Sequence, residues 1–269
     1  MRFDATGKIT LDHIYARPDP RDYFSTLRTL EYRIPQLAKP YFRKLLDEHR
    51  QARGAGVPTI VDVGSSYGVN AAMLRCDATL DELYARYTAE GVAELDRAAL
   101  LERDRAWVRA RAGVPAARFI GLDASGPALD YAVRAGFLDD AVRADLEAGE
   151  PDAAQRELLG SADVVLSTGC LGYAGERTVR RIAECATGRL PWMAHFVLRT
   201  FPFAPVAASL AEIGYETTRV DGTFKQRRFA SEREQALMLD SLARAGIDPA
   251  GLEAEGWLHA ELFLSRPRT

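Results

Sequence analysis

Residues 59–74, TIVDVGSSYGVNAAML, decide the fold. The segment begins as a short apolar run of β-branched residues, which predicts a buried strand, and it ends in a helix-like stretch. Asp62 and Gly64 stand at the end of the strand, and Gly68 stands near the start of the helix. Glycines let the backbone turn sharply and approach a ligand, and the first N–H groups of a helix are free to donate. The segment therefore predicts a strand–loop–helix unit with a ligand site at the loop.

Strand-like and helix-like runs alternate along the rest of the chain. Short apolar segments follow the first one, and most are separated by amphipathic stretches that end in glycine, as helices often do. These segments are 117–123, 140–145, 162–168, 193–200, 215–220 and 259–265. The alternation predicts an α/β fold with a doubly wound, mostly parallel sheet of seven strands. Helices are expected on both faces, and an antiparallel hairpin at the C-terminus.

The chain divides into a helical cap and one larger domain. Apolar residues at helical spacing predict an N-terminal helical cap in residues 1–56, and residues 57–269 hold the predicted sheet. Two segments are interpreted as insertions: residues 76–116, which have a charged and helical pattern, and residues 221–256, which contain one helix-like stretch. Because the loops of α/β sheets lie at the binding face, both insertions are expected beside the ligand site.

The cap is expected to act as a lid over that site. Pro35 and Pro40 should divide it into short helices, because proline removes a backbone N–H and clashes with the preceding turn. Short helices are marginal alone, so the cap must pack on something. Covering one sheet face or forming a dimer contact is the alternative to a lid.

Composition excludes several classes of protein. The 269 residues carry 35 basic and 38 acidic side chains, a formal net charge of −3, which offers no basic surplus for a nucleic acid. The cysteines, Cys76, Cys170 and Cys185, are too few and too widely spaced for a disulfide framework or a metal clamp. No long apolar run predicts a membrane span or an export signal. We expect a cytoplasmic protein without a metal site.

A dinucleotide-binding enzyme is one interpretation of the glycine loop. The loop lacks the GxGxxG spacing of such enzymes. The next acid at a strand end, Asp123, lies 59 residues beyond Gly64, where a simple βαβ unit would have it about 20 residues away. An NAD enzyme is therefore disfavoured unless residues 76–116 are an insertion.

A serine hydrolase is a second interpretation. Residues 64–68, GSSYG, also match the GxSxG nucleophile elbow, with Ser66 as the nucleophile. His259 and an acid such as Asp221 or Asp240 follow in the chain order of such a triad. Only one strand candidate precedes the loop, however, and an elbow normally follows several strands.

Four motifs in order resemble those of the Rossmann-like, class I S-adenosylmethionine-dependent methyltransferases. Residues 61–68, VDVGSSYG, resemble the first motif, with an acid and two glycines, although Ser66 stands where many members carry glycine. The later motifs are resembled by FIGLDAS at 119–125, RADLE at 143–147 and ADVVLSTGCLGYAG at 162–175. The four motifs together are far more specific than the glycine loop alone.

The resemblance implies an enzyme that transfers a methyl group from S-adenosylmethionine to a small molecule. Asp123 would then accept hydrogen bonds from the ribose, Asp145 would face the adenine amino group, and Leu146 would touch the ring. The full set of implied cofactor-binding residues is Asp62, Gly64, Ser65, Ser66, Gly68, Asp123, Ala124, Asp145, Leu146, Ser167 and Thr168. An atypical user of the same cofactor, such as a cyclase, stays as an alternative.

Catalytic residues are less well defined by the sequence. Displacement of a methyl group from a sulfonium needs alignment and exclusion of water more than a universal base. Tyr173, Tyr32 and Cys170 are the candidates, and Tyr32 is the aromatic side chain expected to face the positive charge. The expected partner is a small molecule rather than a nucleic acid or a membrane, and a homodimer is compatible with the sequence.

Overall fold

One mixed sheet runs through the protein. The computed structural model describes residues 3–4, 7–54, 56–111 and 116–268. Within these residues the sheet has eight strands in the order β3-β2-β1-β4-β5-β8-β6, and β7 pairs with β8. The strands are β1 Thr59–Val63, β2 Arg118–Asp123, β3 Asp140–Arg143, β4 Val164–Thr168, β5 Trp192–Leu198, β6 Tyr215–Arg219, β7 Phe224–Arg228 and β8 Trp257–Pro267.

The directions of the strands confirm the predicted doubly wound, mostly parallel sheet. Strands β1 to β5 pair in parallel, and β8 runs antiparallel to β5, β6 and β7. The predicted count of seven strands was one short, because β7 lies inside the segment interpreted as the 221–256 insertion. Its sequence, FKQRR, has little of the apolar character that marks a strand, and it pairs with only one neighbour.

The sheet also fixes where a ligand can bind. The chain passes from β1 to β2 and β3 on one side and then returns to place β4 on the other side of β1. All five residues of β1 are buried, as expected for a central strand covered on both faces. Ligands of open α/β sheets bind at such a reversal, beyond the carboxyl ends of the strands.

Helices cover both faces of the sheet, alternating with the strands. The α-helices are α1 Asp12–Tyr15, α2 Arg21–Thr29, α3 Ile34–Arg53, α4 Val69–Arg75, α5 Leu80–Thr88, α6 Arg97–Arg111, α7 Gly126–Ala135, α8 Ala153–Gly160, α9 Glu176–Glu184, α10 Ala204–Glu212 and α11 Glu232–Arg244. Two short 3₁₀ helices span Val92–Glu94 and Glu253–Glu255. No helix within the described ranges is both long enough and apolar enough to cross a membrane.

The N-terminal helices differ from the prediction at one proline. Pro35 lies in the first turn of α3, where a missing N–H costs nothing, but Pro40 lies inside the helix without ending it. The helix continues because its apolar face, including Phe42 and Leu46, is buried against the sheet. Helix α3 therefore covers a sheet face, whereas α2 packs on α5, with Phe24 stacked on the ring of Tyr87.

The 76–116 insertion is helical, as predicted, and consists of α5, a 3₁₀ turn and α6. A fully buried carboxylate, Asp104, holds it to the domain. Asp104 accepts hydrogen bonds of 2.6 Å from the hydroxyls of Tyr87 and Tyr131 and one of 2.7 Å from Arg86 Nε. Because Tyr131 belongs to α7, the carboxylate joins α5 and α6 to that helix. Residues 112–115 lie outside the described residues.

Candidate functional site

A cavity of about 650 Å³ opens at the carboxyl ends of β1, β2 and β4. On one side it is lined by the glycine loop after β1 and by the residues that follow β2, β3 and β4. On the other side it is covered by the N-terminal region from Lys8 to Pro35. Its size is in the range of cavities that hold small molecules. The structure thus brings the four sequence motifs to one cavity.

The two glycines of the loop have different surroundings. Gly64 lines the cavity with φ +69°, and a Cβ there would lie 2.5 Å from Cys170 Cβ, so only glycine fits. Gly68 begins α4 with φ +73°, and a Cβ there would lie 3.1 Å from Phe137 Cβ, behind the cavity wall. Gly64 therefore shapes the cavity, whereas Gly68 allows the start of α4 to pack closely against α7 and the residues that follow it.

Ser65 and Ser66 line the cavity between these glycines. Ser66 has φ +49°, a left-handed conformation that residues other than glycine, asparagine and aspartate rarely adopt. Both hydroxyl groups are buried, and neither has a hydrogen-bond partner in the described part of the chain. Buried polar atoms without partners are uncommon, and at a cavity they indicate groups available to a ligand.

Asp62 lies behind the wall of the cavity rather than in its lining. Its Oδ1 accepts a 3.0 Å hydrogen bond from Asn70 Nδ2, which also donates to Thr168 Oγ1 at 3.1 Å. Its Oδ2 is buried without a hydrogen-bond partner among the described residues. Burial, together with the charge of Asp123, raises the pKa of Asp62 to about 7, although Asn70 opposes the shift. A carboxyl group with a pKa near 7 therefore lies behind the glycine loop.

Asp123 lines the cavity at the end of β2. Its Oδ2 accepts a 2.8 Å hydrogen bond from the backbone N–H of Ser66, and its Oδ1 accepts one of 2.8 Å from that of Ser125. Burial raises the pKa of Asp123, which these backbone donors partly oppose. The carboxylate therefore fixes the glycine loop against the second strand and presents its charge to the cavity, which Ala124 also lines.

The third motif also reaches the cavity, through an exposed Asp145 and a buried Leu146. Asp145 Oδ1 accepts hydrogen bonds from the backbone N–H groups of Glu147 at 3.0 Å and Ala148 at 3.2 Å. Its carboxylate therefore stabilises the turn after β3 while it borders the cavity.

The fourth motif contributes Thr168 to the cavity lining but not Ser167. Ser167 Oγ lies 2.8 Å from His195 Nδ1 in the buried interior. Burial lowers the pKa of His195 to about 3, so the imidazole is neutral. This pair is a structural contact between β4 and β5.

The three catalytic candidates all line the cavity. The Cys170 thiol donates to Val63 O at 3.0 Å, and burial raises its pKa to about 12, so it is not a thiolate nucleophile. Burial is the main cause that raises the pKa of Tyr32 well above its usual value. The Tyr173 hydroxyl donates to the carboxylate of Asp4. Both phenols are therefore neutral at physiological pH.

The geometry does not support the serine hydrolase interpretation. The hydroxyl of Ser66 has no hydrogen-bond partner among the described residues, so no base is positioned to activate it. His259, the predicted base, instead has Nδ1 3.3 Å from Thr223 Oγ1. Neither Asp221 nor Asp240 makes a hydrogen bond to that ring in the described structure, and the triad is not assembled.

The N-terminal region is fastened over the cavity from three elements. The Tyr67 hydroxyl lies 3.0 Å from Ile14 O and 2.9 Å from Arg17 O. Ser125 Oγ donates to Tyr15 O at 2.5 Å, which adds a contact from the start of α7. Ile9 N donates to Glu234 Oε1 of α11 at 2.7 Å. We call residues 8–32, which these contacts hold, the N-terminal cover.

Sequence reasoning missed several residues of the cavity. Asn70 could have been found, since it follows the glycine loop by two positions. Lys8, Gln226 and Arg227 carried no usable signal, because they come from segments outside the motifs and reach the cavity only through long-range contacts.

No group of three or more His, Cys, Asp or Glu side chains that could hold a metal occurs within the described ranges.

Comparisons with known proteins give matches at the level of structure only. No family model matches the sequence, and no curated protein matches it. The plantazolicin methyltransferase BpumL, solved with S-adenosylhomocysteine, is 12% identical with a TM-score of 0.44, over 95% of this chain and 93% of that chain. A methyltransferase from Geobacter sulfurreducens, solved with the same molecule, is 14% identical with a TM-score of 0.37, over 84% and 91%. The [4+2]-cyclase SpnF is 14% identical with a TM-score of 0.41, over 84% and 81%.

The fold assignment rests on the sheet itself. Its doubly wound layout, its parallel strands β1 to β5 and its antiparallel C-terminal strands agree with the predicted sheet, with β7 as an added strand. The chain has the Rossmann-like fold of the class I S-adenosylmethionine-dependent methyltransferases.

Proposed function

We propose that this protein transfers a methyl group from S-adenosylmethionine to a small-molecule acceptor within the described cavity. The observation that carries the proposal is the meeting of Gly64, Asp123 and Leu146, one from each of three motifs, on one wall of that cavity. A ligand with a nucleoside and a cationic end could approach the backbone at Gly64, donate hydrogen bonds to the Asp123 carboxylate and contact the apolar side chain of Leu146.

The residues present fit that cofactor. Gly64 lets a ligand approach the backbone closely, and Ser66 Oγ is buried at the cavity without a hydrogen-bond partner in the described chain. The Asp123 carboxylate lines the cavity beside the loop, which favours a ligand that carries an ammonium and a sulfonium. Asp123 would accept from the ribose, and Asp145 with Leu146 would border the adenine.

When bound, S-adenosylmethionine supplies a methyl group on a sulfonium that a nucleophile can displace, leaving a neutral thioether. The protein's part is to orient the acceptor and to exclude water. Tyr15, Tyr23, Tyr32 and Leu27 cover the cavity with apolar and aromatic surface. Electron-rich rings also favour a nearby cation. Because the Cys170 thiol is protonated and both tyrosine candidates are neutral phenols, we assign them to packing and positioning rather than to nucleophilic catalysis.

Calorimetric titration with S-adenosylhomocysteine tests the proposal. Wild-type protein should bind it, and Asp123→Asn should weaken binding by about 1–3 kcal/mol, because a charged acceptor of hydrogen bonds is lost. Asp240→Asn is the matched control, since Asp240 is exposed on α11 away from the cavity lining. It should bind like the wild type.

Thermal unfolding of each variant shows whether the protein is folded before titration. A folded wild-type protein that gives no binding heat at several temperatures would refute the proposed function. Equal affinity of Asp123→Asn and the wild type would instead remove Asp123 from the cofactor site.

A further inference from the structure

The cavity holds a cation that lacks a direct counterion. Lys8 lines the cavity from the N-terminal cover, with its Nζ 5.2 Å from the centroid of the Tyr173 ring. No carboxylate lies within ion-pair distance of this Nζ in the described part of the chain. Burial lowers the pKa of Lys8 to about 8, and the charge of Arg227 adds to the shift. The amine is therefore mostly protonated at neutral pH although it is poorly solvated.

The charged groups around Lys8 have other partners. Arg227 is buried in a two-pronged ion pair with Glu234, with N–O distances of 2.7 Å and 3.0 Å. The carboxylate of Asp4 accepts from the backbone N–H of Lys8 at 3.1 Å and from the Tyr173 hydroxyl. Lys8 thus differs from Arg227: the charges of Asp4 and Glu234 act on it, but no carboxylate among the described residues forms an ion pair with it.

A second polar group without partners lies at the same end of the cavity. Gln226 is 3% exposed and lines the cavity, yet its Oε1 has no hydrogen-bond partner and its Nε2 makes none within the described residues. Its Nε2 lies against Gly169, since a Cβ on that glycine would come within 2.0 Å of it. Gly169 belongs to the same loop as Tyr173, whose ring centroid lies 5.2 Å from Lys8 Nζ. The amide and the ammonium therefore share one region.

This polar region adjoins an apolar one. Leu11, Tyr15, Tyr23 and Leu27 line the cavity from the N-terminal cover. The acids Asp123 and Asp145 belong to the opposite, motif-bearing wall. The cavity therefore has two acids, with Arg143, on its motif-bearing wall, and Lys8 beside an apolar and aromatic surface on the other.

We infer that Lys8 and Gln226 form a carboxylate-binding site, and that the acceptor of the methyl group is a carboxylic acid with a flat, apolar body. That the carboxylic acid accepts the methyl group rests on the proposed function. The carboxylate-binding site itself is argued from Lys8 and Gln226 alone. The Lys8 ammonium would supply the counter-charge, and the Gln226 amide would donate a hydrogen bond to a carboxylate oxygen. A half-buried ammonium and a buried amide would then both gain a partner.

Binding of benzoate and of its neutral analogue benzamide tests the inference. Titrations with and without saturating S-adenosylhomocysteine should show that wild-type protein binds benzoate at least about tenfold more tightly than benzamide. Lys8→Met should abolish this preference, and Gln226→Leu should reduce it. Lys44→Met, which removes the same charge from an exposed position on α3, should keep it.

Three results would overturn the inference. The first is the absence of a benzoate preference in the wild-type protein, and the second is persistence of that preference in Lys8→Met. The third is a loss of about tenfold or more in S-adenosylhomocysteine affinity in Lys8→Met together with unchanged binding of 5′-methylthioadenosine, which lacks the aminoacyl part. That pattern would assign Lys8 to the carboxylate of the cofactor. If S-adenosylhomocysteine binds to no variant, the proposed function fails while the titrations without it still decide the carboxylate site.

Discussion

Several residues at or behind the cavity are buried and carry a polar atom without a hydrogen-bond partner in the described chain. Asp62 is the strongest case, because it is buried, has one oxygen without a hydrogen-bond partner in the described chain, and has a pKa raised to about 7. An unfolded chain would give the same carboxyl a pKa near 4. The folded protein therefore holds a proton on Asp62 over a pH range in which the unfolded chain has released it.

The pH dependence of stability tests this assignment. Since the folded pKa of Asp62 is raised, its contribution is most favourable below about pH 4 and is lost as pH rises toward 7. At pH 8 the variant Asp62→Asn, which keeps an acceptor for Asn70, should be more stable than the wild type by on the order of 2–4 kcal/mol. At pH 4 the difference should shrink to near zero. Denaturant unfolding at both pH values measures it, and a gap independent of pH would contradict the assignment.

Residues of the motifs were predictable because they lie within a few positions of a recognisable strand end. Gly64 and Asp123 were both expected at the site, and both line the cavity. Lys8 and Gln226 were not predictable. Neither belongs to a periodic pattern, and their proximity depends on how the N-terminal cover and β7 meet across the sheet.

At the scale of elements, the N-terminal cover is held by hydrogen bonds as well as by burial of Ile14, Phe24 and Leu27 in an apolar core. Helix α1 has only four residues, and such a short helix is not stable alone. Its position depends on contacts from outside, among them the buried Tyr67 hydroxyl at the carbonyl groups of Ile14 and Arg17. The cover is therefore expected to open locally before the sheet unfolds.

Tyr67→Phe tests this dependence. Loss of the hydroxyl should favour opening of the cover by about 1 kcal/mol, which means cleavage of the first 20 residues by a protease several-fold faster. Tyr215→Phe is the matched control, since its buried hydroxyl also donates to a carbonyl, Pro191 O at 2.9 Å, but far from the cover. It should leave that cleavage rate unchanged. Equal rates in Tyr67→Phe and the wild type would show that the Tyr67 hydroxyl does not hold the cover in place.

Two elements show the limits of prediction from sequence patterns. Strand β7 was missed because FKQRR presents charged residues, and its strand conformation comes from pairing with β8. Helix α3 was expected to break at Pro40, yet burial of Phe42 and Leu46 on the sheet stabilises a continuous helix. In both cases long-range packing overrides the local preference.

At the scale of the molecule, the sheet places the acidic strand ends of β1 and β2 opposite the N-terminal cover and leaves a cavity of about 650 Å³ between them. The parallel arrangement of the first five strands was predictable because strand-like segments alternate with helix-like ones along the chain. The enclosure of the cavity was not, because it depends on the cover and on α11 meeting at Glu234.

The most direct test of the account is a crystal structure of the protein grown with S-adenosylhomocysteine. We predict electron density for the whole molecule inside this cavity, in contact with the backbone at Gly64, with its ribose at the Asp123 carboxylate and its adenine beside Leu146. An empty cavity at saturating ligand, or S-adenosylhomocysteine bound elsewhere on the protein, would contradict the account.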